Sequence, residues 1–179
     1  VGMANRNILR QAAEDPELQG MGTTVVAMLL DGSVAHVASV GDSRLYLWRE
    51  GQLRRVTSYQ TWVNEVGRGL GLTDEQIRTH PFRHVLTMAV GVRETVVIRS
   101  HQVRLEPGDL MLLSTDGLHG VIQEATIAGT LASDTTLAEK TARLIQIARS
   151  QGGPDNITAV LVRPGIQEPA GRSQQTDLT

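Results

Sequence analysis

Two tight hairpins in the first third of the chain constrain its fold more than any other feature. Residues 23–30 and 34–40 are apolar, β-branched runs separated by Asp31-Gly32. An Asp-Gly pair between such runs signals a hairpin, because both central positions of that turn need φ > 0. Residues 44–49 and 52–56 flank Glu50-Gly51 in the same way. Antiparallel meanders of this kind make sheets with a face that something else must cover.

The remaining sequence supplies that cover. Residues 5–14 read as a helix stopped by Pro16. Residues 61–70 and 73–79 read as two short helices, the second with Thr73 as N-cap, Glu75 and Gln76 in its first turn, and Pro81 beyond its end. Strand character returns over 84–89, 95–105 and 110–114. Residues 123–131 and 137–150 are helical; in the second, Leu137, Thr141, Leu144, Ile145 and Ala148 share one face. Residues 156–162 form the last strand. From Pro164 onward the chain is rich in Gly, Pro, Gln and Thr without periodicity. This sets an expectation of one domain over 1–163 and a disordered tail over 164–179.

Composition narrows the function. The net charge is −2 with no basic run, which argues against a nucleic-acid partner. Cysteine is absent, so disulfides and thiol chemistry are excluded. Only 3% of residues are aromatic, so the core must rest on Val, Leu, Ile, Ala and Met. No apolar stretch is long enough to span a membrane and no signal peptide opens the sequence. A cytoplasmic protein without a membrane partner is expected.

Two segments carry candidate chemistry, Leu112-Leu113-Ser114-Thr115-Asp116-Gly117 and Gly153-Pro154-Asp155-Asn156-Ile157-Thr158. In each, an aspartate stands where an apolar, strand-like run meets a glycine-containing turn, at the rim of a sheet. Asp116 and Asp155 placed at one point would suit a hard divalent cation. Taken singly, each is also an ordinary turn aspartate. His80 and His84 have the spacing of a helical metal pair, but Pro81 lies between them, and His36, His101 and His119 are scattered. The histidines read as surface or locally bonded residues rather than a zinc site.

In order along the chain, Gly20-Met21-Gly22-Thr23-Thr24, Val40-Gly41-Asp42-Ser43-Arg44-Leu45-Tyr46, His80-Pro81-Phe82-Arg83-His84 through Thr87 with Gly91, and the two aspartate segments resemble the metal-dependent, type 2C serine/threonine protein phosphatases of bacterial type. The resemblance runs over about residues 5–163. It implies an α+β fold, an αββα sandwich of two antiparallel sheets flanked by helices. It implies hydrolysis of phosphoserine and phosphothreonine by a metal-activated water, with Mg²⁺ or Mn²⁺ as a catalytic pair and a third ion nearby. Asp116 and Asp155 would then be ligands of the pair, and Asp42 would share the third metal with Asp116. Gly117 and Gly153 would let the turns approach the ions, and Asn156 would fix the Asp155 loop through side-chain hydrogen bonds. The implied partners are phosphoproteins and a cognate serine/threonine kinase system. For Asp42, a plain turn residue between two strands is the alternative.

Two departures qualify the resemblance. The family's first metal-binding turn, Asp-Gly-Met-Gly-Gly, and its phosphate-gripping arginine have no counterpart in the residues before Met21, which hold no Asp-Gly pair. Gly20-Met21-Gly22 is not that turn, because Gln19 stands where its aspartate would be. The sequence is therefore expected to be the C-terminal two-thirds of a phosphatase domain, N-terminally incomplete and of doubtful activity as it stands. The alternative function is an inactive phosphatase-like domain that regulates or binds phosphoproteins. The second departure is Tyr59, in Thr57-Ser58-Tyr59-Gln60-Thr61, where the family pattern has an aspartate.

Overall fold

The structure is a computed structural model and describes residues 1–165; the tail expected over 164–179 falls, beyond Gly165, outside the described residues. Among the described residues seven strands form two antiparallel sheets. The first holds β1 (Val25–Asp31), β2 (Val34–Val40) and β5 (Arg99–Arg104), in the order β1-β2-β5. The second holds β3 (Arg44–Arg49), β4 (Gln52–Arg55), β6 (Leu110–Ser114) and β7 (Ala159–Val162), in the order β4-β3-β6-β7.

The first hairpin forms one residue later than its sequence suggests. Asp31 pairs with Val34, so Gly32-Ser33 is the turn, and only Gly32 takes a positive φ, +54°. A turn left-handed only at its first central position asks for one glycine, not an Asp-Gly pair. The second hairpin does turn on Glu50-Gly51, with φ of 49° and 79°, and pairs Arg49 with Gln52 and Tyr46 with Arg55.

Alternation along each strand sorts side chains into two cores. Ala35 and Val37 of β2, Val103 of β5, Leu45 and Leu47 of β3 and Met111 of β6 meet in one cluster, so the sheets stack face to face. From the other face of the second sheet, Tyr46, Leu110 and Leu112 pack on Leu118, Ile127, Leu131, Leu144 and Ala148. The last four lie on α4 (Glu124–Ala132) and α5 (Leu137–Ser150), which cover that sheet. Helix α5 starts with the capping box Thr136–Glu139. Its buried face also takes in Lys140, whose Nζ donates to the Leu131 carbonyl. The N-terminal helix α1 (Gly2–Glu14) is docked by buried Asn5, which donates to the carbonyls of Arg93 and Glu94 and accepts from Gly91 N–H.

Four expected elements differ. Residues 61–70 form one wide turn, Val63–Gly67, in which Arg68 N–H reaches the Val63 carbonyl. Glycines at 67, 69 and 71 make a continued helix costly. Helix α2 (Asp74–Thr79) does form, with Thr73 capping it and Gln76 completing the box. The runs 84–89 and 95–98 make no ladder; Leu86 and Val90 form isolated bridges to Thr61 and Thr23. The final strand starts at Ala159, not 156.

Candidate metal and phosphate site

The end of β6 and the start of β7 build the site's floor. Ser114 pairs with Ala159, and the ladder is extended beyond the strands by Thr115. Its N–H donates to the Thr158 carbonyl at 3.1 Å, and its Oγ1 accepts from Thr158 N–H at 3.0 Å and donates to the Asn156 carbonyl at 3.3 Å. The chain then enters the short helix α3 (Asp116–His119). The threonine beside Asp116 therefore clamps one aspartate turn to the other.

Gly117 sets how closely those turns approach. A Cβ there would stand 2.2 Å from the Asn156 carbonyl oxygen and 3.4 Å from the Asp155 carbonyl carbon. Only hydrogen fits. Gly117→Ala is expected to cost about 1–3 kcal/mol in urea denaturation, by forcing main chain off main chain where no flexible side chain can yield. Gly153, with φ +49°, acts elsewhere: its N–H closes the end of α5 on the Ala148 carbonyl. Asn156 enters through its main chain rather than its side chain. Its N–H donates to Asp155 Oδ1 at 2.7 Å and its carbonyl takes the Thr115 hydroxyl.

Each aspartate spends one oxygen on its own turn. Asp116 Oδ1 accepts from Gly117 N–H at 3.0 Å, as Asp155 Oδ1 does from Asn156 N–H. Among the described residues the second oxygen of each receives no protein donor, and neither Asp116 nor Asp42 forms an ion pair. Asp42 follows Gly41, whose φ of +93° and contact with Thr24 demand glycine. Buried Gln60 pins that turn: its Oε1 accepts from Gly41 N–H at 2.8 Å, and its Nε2 donates to the Val97 carbonyl. Asp42 and Asp116 line one cleft of about 370 Å³. Burial, then the Asp116 charge, raise the Asp42 carboxyl above the usual carboxylate range, against its own backbone hydrogen bond and the charges of Arg44 and His84. Asp155 lies outside that lining, exposed, with its peptide against Gly117.

The cleft also holds basic, aromatic and acidic residues that motif reading did not name as site residues. Arg44, Tyr59 and Glu124 line it beside Arg55, whose place follows from the hairpin register opposite Tyr46. Arg44 Nη1 donates to Tyr46 Oη at 2.7 Å. His119 is buried with Nδ1 2.9 Å from Ser114 Oγ. Burial, then the charges of Arg44, Arg55 and His84, push its pKa down to about 2, so it is a neutral, locally bonded group. His80 stacks on Trp62 at 5.3 Å, and its Nδ1 accepts from Phe82 N–H. Among the described residues no three His, Asp or Glu side chains are grouped to hold a metal, and no helix is long and apolar enough to cross a membrane.

The donor set nonetheless fits a hard divalent cation in kind. At adjoining turns it offers carboxyl oxygens that no protein group among the described residues donates to, and the Asp116 charge acts on Asp42 across one cleft. In number it leaves coordination positions for water and further ligands.

Comparisons with known proteins agree on one family. The family model described as Protein phosphatase 2C matches residues 3–162. The chain is 36% identical over 164 residues to the serine/threonine phosphatase stp of Listeria innocua, covering 92% of this chain and 65% of that protein. It therefore spans just under two-thirds of that relative's length. Among solved structures it is similar to serine/threonine phosphatase Stp1 from Staphylococcus aureus, with a TM-score of 0.83 and 32% identity over 88% of this chain and 62% of that one. It is also similar to the catalytic domain of the serine/threonine protein phosphatase PstP in complex with two manganese ions. There the TM-score is 0.78 and the identity 33%, over 88% of this chain and 65% of that one.

Proposed function

The chain belongs to the protein phosphatase 2C family, and from that premise we propose that it forms the larger part of a metal-dependent phosphatase acting on phosphoserine and phosphothreonine in proteins. The observation that carries the reading is the clamp between the Asp116 and Asp155 turns, built through Thr115 and Gly117. In this reading Asp116 and Asp155 hold a pair of Mg²⁺ or Mn²⁺ ions, and Asp42 holds a third with Asp116. When bound, the ions supply an activated water and charge neutralisation for in-line attack on phosphorus.

The chain's own groups do the positioning. Thr115 and Gly117 fix the separation of the two carboxylate turns, and Gln60 fixes the Asp42 turn. Burial keeps His119 neutral, so it adds no positive charge to compete with a cation for the carboxylates. Substrates are phosphoproteins, and a serine/threonine kinase that phosphorylates them is the implied counterpart. One observation favours the second reading, binding without hydrolysis: among the described residues no three metal-ligating side chains converge.

One assay separates the two. With Mn²⁺ and a phosphothreonine peptide, the 179-residue chain is expected to turn over little or nothing. Joined to a relative's N-terminal segment carrying Asp-Gly-Met-Gly-Gly, it is expected to hydrolyse the peptide and to stop on adding a chelator. A joined protein that binds the peptide but does not cleave it supports the binding domain and overturns the enzyme.

A further inference from the structure

Two guanidinium groups in the cleft stack on one aromatic ring, and the carboxylate that pairs with one of them is exposed. The Arg44 guanidinium carbon lies 4.4 Å from the Tyr59 ring centroid and that of Arg55 lies 3.8 Å from it. Arg55 Nη1 also donates to Tyr59 Oη. Stacking on a π face holds a cation in place without neutralising it. Among the described residues the one carboxylate at ion-pair distance of either arginine is Glu124, 3.9 Å from Arg44 Nη1 and 55% exposed, where water screens it; Asp42, in the same cleft, feels the Arg44 charge without pairing with it. Arg44 Nε is buried without a hydrogen-bond partner. Because Tyr59 Oη accepts from Arg55, its hydroxyl hydrogen remains available to donate.

Two neighbouring positive charges, an unused buried N–H and a phenolic donor together ask for an anion with several acceptor oxygens. Guanidinium forks match a phosphoryl group best. The sequence sharpens the point. A carboxylate is expected at position 59 from the family pattern, and it would neutralise this pair of arginines; the tyrosine found there organises them and leaves their charge in place.

We propose that Arg44, Tyr59 and Arg55 form a subsite for a phosphoryl dianion, separate from Asp116 and Asp155 in its chemistry and independent of metal. The dianion comes either from a second phosphorylated residue on the substrate or from free inorganic phosphate. The substrate source rests on the phosphatase reading; the subsite does not.

The test is a titration of the 179-residue chain with inorganic phosphate in the presence of a chelator, followed through the arginine ε-N–H resonances. Saturable shifts of Arg44 and Arg55 are expected. Tyr59→Asp, which places a carboxylate against both guanidiniums, is expected to weaken binding by at least about tenfold. Arg55→Gln, at an exposed position, should do the same without touching the core. Peptides then identify the source. If a doubly phosphorylated peptide binds about tenfold tighter than a singly phosphorylated one, and Tyr59→Asp removes the preference, the dianion is on the substrate. Equal binding of both peptides beside competing phosphate assigns it to free phosphate. Absence of saturable shifts at millimolar phosphate, or wild-type binding by folded Tyr59→Asp and Arg55→Gln, overturns the proposal. An inactive joined enzyme that still gives the shifts overturns only the phosphatase reading.

Discussion

Asp116→Asn in the joined protein is expected to lower kcat/KM on a phosphothreonine peptide by at least about 10³-fold, on the order of 4 kcal/mol of barrier. The substitution is close to isosteric. An amide oxygen can still accept from Gly117 N–H, so the turn and its contact with Asn156 should survive. What disappears is the negative charge facing the cleft, and with it the hold on a divalent cation. Thermal unfolding should therefore change little while turnover collapses. Asp155→Asn should behave likewise. Asp134→Asn, on an exposed loop away from the cleft, controls for a general effect of removing an aspartate. Full activity of the Asp116→Asn protein would remove Asp116 from the site.

The second large effect concerns stability. Asp109 is 1% exposed and takes both forks of Arg49, at 2.8 and 2.7 Å, together with the Glu106 N–H at 2.8 Å. Arg49 also donates to the Arg104 carbonyl and to Glu106, so one knot ties β3 to the connection between the sheets. Asp109→Ala is expected to cost about 3 kcal/mol in urea denaturation, because it strips a partly buried guanidinium of its bidentate partner. The figure sits at the low end for such a loss because Arg49 keeps Glu106. An Arg49→Met/Asp109→Leu pair should recover much of the stability, since the desolvation of both charges is then removed. The pH dependence has a fixed sign. Burial raises the Asp109 carboxyl, but the hydrogen bonds and charge of Arg49 and the Glu106 N–H outweigh it, so its pKa falls below 3.8. The pair's contribution is thus complete above the usual carboxylate range and is lost as pH falls through the lowered folded value.

What could be read from the sequence follows from how local the causes are. The hairpin about Glu50-Gly51, the N-cap at Thr73 and the strand ending at Ser114 rest on neighbouring residues, and each formed as expected. The Gly32-Ser33 turn was misplaced by one residue because Asp-Gly and Gly-Ser both suit a two-residue loop. Residues 84–89 and 95–98 have strand-like composition but no neighbouring strand, which only tertiary placement decides. In the site, the Asp116 turn was legible because a buried strand runs straight into it. Asn156 was identified but given the wrong atoms, since the hydrogen bonds come from its main chain. Gln60 and Arg55 were missed for different reasons. Gln60 acts across sequence on Gly41 and Val97, which no local pattern reports. The place of Arg55 was recoverable, because the register about Glu50-Gly51 sets it opposite Tyr46.

The turns of Asp116 and Asp155, with Asp42, are proposed to hold divalent metal. The most direct measurement is Mn²⁺ binding to the 179-residue chain, followed by the loss of the free-ion paramagnetic resonance signal. Weak but saturable binding is expected, falling by at least about tenfold in Asp116→Asn and in Asp155→Asn and unchanged in Asp134→Asn. Binding by both site variants equal to that of the unsubstituted chain would contradict the proposed metal site.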